Sequence, residues 1–71
     1  MEPLQHAQAM LAEQRAIRRE TRRLAQAVDR TDDLTALVHI ITQANALAAR
    51  AVALRLHAER CARRMMREAA S

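Results

Sequence analysis

The sequence contains no Gly, no Phe, no Tyr, no Trp and no Lys, with one Pro and one Cys among its 71 residues. Each absence closes a class of structure or chemistry. Without Gly there is no Gly-rich loop to cradle a phosphate, and none of the positive-φ turns that tight β-hairpins prefer, so the usual nucleotide-binding enzymes are excluded. A single Cys cannot form an internal disulfide. Without an aromatic ring there is nothing for bases to stack on, which argues against recognition of single-stranded nucleic acid. Ser occurs only at Ser71, and with Tyr and Lys also missing the common catalytic nucleophiles and bases are scarce. A pocket would have to be assembled from two or three helices. The expectation is a non-enzyme with no cofactor and no small-molecule substrate.

What is present favours helix throughout: Ala, Leu, Arg, Gln, Glu and Met dominate. Hydrophobic residues make up 51% of the chain, yet 17 of them are Ala, so little apolar surface is available per residue. A chain this short builds only a small core and usually needs a staple or a partner. Self-association or docking on another protein is therefore expected. The start, Met1-Glu2-Pro3-Leu4, carries neither a basic n-region nor an apolar h-region. The most apolar stretch, residues 44–54, is interrupted by Arg50 and falls short of the roughly 18 residues of a spanning helix. No membrane span is expected, and a lone Cys suits a cytoplasmic location.

One internal break stands out. At Asp29-Arg30-Thr31-Asp32-Asp33, short acidic side chains and a Thr collect, types that prefer caps and turns to helix interiors. Thr31 or Asp32 is the expected N-cap of a second helix, with Asp33 in its first turn, where the macrodipole favours negative charge. Pro3 suits the first turn of a first helix. The reading is a single all-α domain over residues 1–71: a helix at 3–29, a turn at 30–32 and a helix at 33–70, paired as an antiparallel, coiled-coil-like hairpin. A weaker break near Thr42 to Asn45 is the one alternative. The second helix outruns the first and ends in a basic overhang, Arg60-Cys61-Ala62-Arg63-Arg64-Met65-Met66-Arg67.

Heptad columns define the seam. Met10, Ile17 and Leu24 repeat every seven residues, accompanied by Ala7, Gln14, Thr21 and Val28. The second helix offers Ile40, Leu47, Leu54 and Cys61 in one column and Leu37, Ala44, Ala51, Ala58 and Met65 in the other. This register sets Glu13 opposite Arg50, a weak surface pair. Val38, Ile41, Val52, Leu56 and Met66 remain off the seam, a surplus that marks a partner surface. With Leu47 and Leu54, they are the expected partner-binding residues. The same face would serve a homodimeric four-helix bundle or a helical protein partner.

Arg15, Arg18, Arg19, Arg22 and Arg23, with Arg60, Arg63, Arg64 and Arg67, bring the formal charge to +4. They are candidate contacts for phosphates or an acidic protein surface, against the alternative of a solvated face in a protein that uses Arg everywhere. Nucleic acid is the second choice of partner. In the hairpin His6 falls opposite His57, and His57 and Cys61 have the i,i+4 spacing that presents two ligands to one metal ion. A fourth ligand is not evident beyond the nearby Glu2, and the expected metal content is none. His39 reads as surface. Cys61 occupies a seam column, as a small buried hydrophobe would. A reactive thiol is the alternative, unsupported by any base-and-orienter arrangement.

The stretch Leu34-Thr35-Ala36-Leu37-Val38-His39-Ile40-Ile41-Thr42-Gln43-Ala44-Asn45, followed by Arg55-Leu56-His57, resembles the second helix of the small type III secretion proteins of the YscE, EscE and SsaE kind. Arg15-Ala16-Ile17-Arg18-Arg19 is similarly placed in the first helix. The resemblance implies a cytosolic helical hairpin, a co-chaperone that pairs with a helical-repeat chaperone and keeps secreted subunits from polymerising before export. Two other roles suit the same hairpin: a small hairpin dimer of the ROP kind that regulates nucleic acid, and a phage inhibitor protein such as an anti-CRISPR.

Overall fold

Strong helix formers without Gly or an internal Pro leave the backbone only one place to turn. The computed structural model describes residues 3–70 as two helices, α1 (Pro3–Arg30) and α2 (Leu34–Ala70), joined by Thr31, Asp32 and Asp33. They pack antiparallel into a hairpin 58 Å long and 16 Å across. The all-α hairpin is as expected, with α1 one residue longer than its expected end and α2 starting one residue later.

The capping residue is neither Thr31 nor Asp32. Asp33 holds that place: its carbonyl accepts the first helical hydrogen bond, from the Leu37 N–H at 3.0 Å, and its Oδ1 accepts from the Thr35 N–H at 3.2 Å. The other two residues shape the approach. The Thr31 N–H donates to the Val28 carbonyl at 3.5 Å, tightening the end of α1, and the Thr31 hydroxyl accepts from the Asp33 N–H at 3.3 Å. No described residue has a positive φ, so a Gly-free turn closes without strain. No break occurs near Thr42 to Asn45. The Thr42 hydroxyl donates to the Val38 carbonyl at 3.1 Å, and Thr21 does the same to Ile17 at 2.8 Å. That back-bonding removes the hydroxyl's reason to leave a helix interior.

The core is as thin as the Ala content implies. Only Leu24, Leu47 and Cys61 are buried among the described residues, while Met10, Ile17, Leu37, Ile40 and Leu54 are half-buried beside them. Residues 62–70 extend past the start of α1 and are exposed throughout. The 37 residues of α2 against the 28 of α1 make this overhang about 13 Å long at 1.5 Å per residue.

One expectation about α2 needs correction. An 18-residue window of this helix reaches a mean hydropathy of 1.3 with no more than two charged residues, so by length and composition α2 can cross a membrane. The expectation rested on the longest uninterrupted apolar run. In an Ala-rich helix a single Arg50 ends the run without much lowering the average. Only 6% of that window is buried, so its apolar character lies on the surface of the hairpin.

Candidate functional site

The two flanks of the seam differ in chemistry. On one, polar side chains of the two helices meet: Arg50 Nη2 donates to Glu13 Oε1 at 2.6 Å, and the His6 and His57 rings lie 6.0 Å apart between centroids. The Glu13–Arg50 pair was expected from the register. On the other flank the seam stays open as a groove. Its wider part, about 700 Å³, is lined by Ala7, Met10, Leu11, Gln14, Ile17 and Arg18 of α1 and by Ala51, Leu54, Arg55 and Ala58 of α2. A second part, about 410 Å³, continues toward the turn past Thr21, Leu24, Ala25, Val28, Ile40, Ala44, Leu47 and Ala48. Ile17 and Ala51 line both, so the two parts form one trough along most of the hairpin.

The groove exists because of the small residues. A column of Ala44, Ala51 and Ala58 faces Ala7, Gln14 and Thr21, and side chains this short do not reach across to close the flank. Larger apolar groups stand at its margins, with Leu11 and Val28 about half exposed. Two arginines, Arg18 and Arg55, lie at the wider end.

No protein-family model, curated protein or solved structure matches this chain.

The structure divides the residues expected to bind a partner. Leu47 is buried at the bottom of the seam and Leu54 half-buried beside it. They support the groove from beneath and offer little surface to a partner, because α1 already covers them. Val38, Ile41, Val52, Leu56 and Met66 are exposed, but none lines the groove. They lie on the outer flank of α2. Ala7, Gln14, Thr21, Val28, Ala44 and Ala51, expected in the seam between the two helices, line the open groove instead, together with Leu11 and with Ala25 and Ala48, which sequence reasoning missed. The signal was there: both heptad columns are small or apolar on one flank, whereas the opposite flank carries His6, Glu13 and Glu20 against Gln43, Arg50 and His57.

The arginines are exposed as a group. Arg23 pairs with Glu20 on its own helix and Arg55 with Glu59 at 3.7 Å. Arg15, Arg19 and Arg22 lie on the surface of α1, Arg18 at the groove, and Arg63, Arg64 and Arg67 on the overhang. His6, half-buried His57 and buried Cys61 come together at the open end of the hairpin, with their ligand atoms all within 4.8 Å of one another. Cys61 Sγ is 3.8 Å from His57 Nε2. His39 is exposed and takes no part, and Glu2 lies outside the described residues.

Proposed function

We propose that this chain is a non-enzymatic protein-interaction module, half of a helical bundle whose apolar groove is covered by two helices of a second copy. The observation that carries this reading is the asymmetry of the seam, bridged by polar pairs on one flank and left as an apolar trough on the other. In a two-helix coiled coil both heptad columns are used up inside the pair. Here the small residues of one column on each helix leave that flank of the pair open, as in half of a four-helix bundle.

Area supports the same reading. The chain exposes 5893 Å², against about 4,450 Å² for a folded monomer of 8.0 kDa. The excess is larger than the roughly 800 Å² that each partner contributes to a standard interface. Charge favours a second copy laid antiparallel on the first. That orientation brings the overhang, with Arg63 and Arg64 and with Arg60 just before it, toward the turn, where Asp29, Asp32 and Asp33 outnumber Arg30, and opposite net charges meet at both ends. A helical-repeat chaperone, the partner implied by the type III secretion resemblance, would be a different occupant of the same trough.

Light scattering decides between occupants. The purified chain should be a dimer at micromolar concentration, and Ala44→Glu with Ala51→Glu should make it monomeric while circular dichroism still reports helix. Val52→Asp with Leu56→Asp, on the outer flank, should leave it dimeric. A monomeric wild-type chain would rule out the second copy, and dissociation by the flank pair alone would move the interface off the groove.

A second reading rests on Arg15, Arg19 and Arg22, exposed on α1 and engaged in none of the ion pairs described above. They would contact phosphates of a duplex or structured RNA. Binding would then fall steeply with salt, and each Arg→Ala would lower the slope of log K against log salt by about 0.9 for duplex DNA.

A further inference from the structure

The chain has three His and one Cys, and two of those His and the Cys converge on a single point. His6 comes from α1, and His57 and Cys61 from successive turns of α2. Their ligand atoms lie within 4.8 Å of one another, with Cys61 Sγ 3.8 Å from His57 Nε2. Around a tetrahedral Zn²⁺, bonds of about 2.0–2.1 Å to nitrogen and 2.3 Å to sulfur set neighbouring ligand atoms roughly 3.3–3.6 Å apart. The ligand atoms are thus at most about 1.5 Å further apart than a tetrahedral ion requires.

We propose that His6, His57 and Cys61 form a transition-metal site for Zn²⁺ or an ion of similar softness, which staples the open end of the hairpin. Two imidazoles and a thiolate are the donor set that selects such ions over Mg²⁺ or Ca²⁺. A solvent molecule takes the fourth position, since the site lies at the surface end of the seam with both His half-exposed. On binding, the thiol gives its proton to solvent and the imidazoles bind through their neutral nitrogens, so metal uptake releases protons. Arg60 and Arg64, three residues from His57 and Cys61 respectively, oppose a dication there, and the thiolate offsets one of its charges. The position gives the site its purpose. The turn ties one end of the hairpin covalently, whereas the other end depends on one buried Cys and a His contact. A metal bridging α1 and α2 there converts binding energy into folding energy.

Cobalt substitution of the full chain tests the site. Co²⁺ added to the reduced protein should saturate at one ion per chain, give a thiolate-to-cobalt charge-transfer band with the visible absorption of a tetrahedral centre, and be displaced by Zn²⁺. Cys61→Ser should abolish the charge-transfer band. His6→Ala, at a half-exposed position that leaves the seam intact, should weaken Co²⁺ by at least about tenfold, the scale already reached by losing a group that only supports a ligand. His39→Ala should change nothing. One equivalent of Zn²⁺ should raise the melting temperature of the wild type and leave that of His6→Ala unmoved. Absence of the charge-transfer band in the wild type, or equal weakening by His39→Ala and His6→Ala, would overturn the proposal.

Discussion

Asp33 illustrates how much a single side chain decides in a turn without Gly. Its carbonyl accepts the first intrahelical bond of α2 and its carboxylate takes one of the orphan N–H groups, that of Thr35, whereas exposed Asp32 accepts no backbone bond among the described residues. Asp33→Ala should therefore cost about 1 kcal/mol in urea denaturation, and Asp32→Ala less than about 0.5 kcal/mol. Equal costs would mean that the cap is shared. The sequence located this turn but not its cap, since Thr31, Asp32 and Asp33 are all competent acceptors and only the path of the chain chooses among them. Cys61, by contrast, was placed correctly by its heptad column. So was its encounter with His57 and His6, because helical spacing and the register of the hairpin fix both. The Glu13–Arg50 pair was equally legible, although both side chains are well exposed and the contact is worth only about 0.2–1 kcal/mol.

At the scale of the helices, the repeat of seven settles which residues meet, while residue size settles which flank stays open. Among the described residues, Leu24 and Leu47 are the only large side chains buried in the seam. Either one changed to Ala should cost about 2–3 kcal/mol, the low end for buried Leu because a thin core can relax around the loss. The measurement is a denaturant midpoint at fixed protein concentration. A similar cost for Leu56→Ala, on the outer flank, would show that this flank also is covered in solution. The heptad columns put Ala44, Ala51 and Ala58 in the seam and leave the larger Val38, Val52 and Leu56 as surplus surface. Reading by size of side chain misses that a row of methyl groups makes a trough, and a trough with firm walls fits a helix better than scattered exposed valines do. The apolar average of α2, high enough to suggest a membrane span, has the same origin in a helix whose surface is mostly small and uncharged.

For the molecule as a whole, shape carries the argument. The radius of gyration is 16.7 Å, where a compact domain of 71 residues would have about 11 Å, so the fold by itself is a rod with little interior. The proposed second copy would give this rod an interior, and the arrangement of charge favours one orientation. With the basic overhang at one end and the acidic turn at the other, antiparallel copies pair opposite charges twice, whereas parallel copies set like against like at both ends. Small-angle scattering should then give a dimer whose longest dimension stays near the 58 Å of one chain and whose cross-section grows; end-to-end association would nearly double the length instead. The dimer's melting temperature should rise with protein concentration, since folding and association are coupled. It should also fall with added salt, as the end-to-end charge pairs are screened. Arg63→Glu with Arg64→Glu should remove that salt dependence and weaken the dimer, and adding Asp32→Arg should restore part of it. Weakening without restoration would leave the side-by-side bundle in place but reject the antiparallel pairing of its ends.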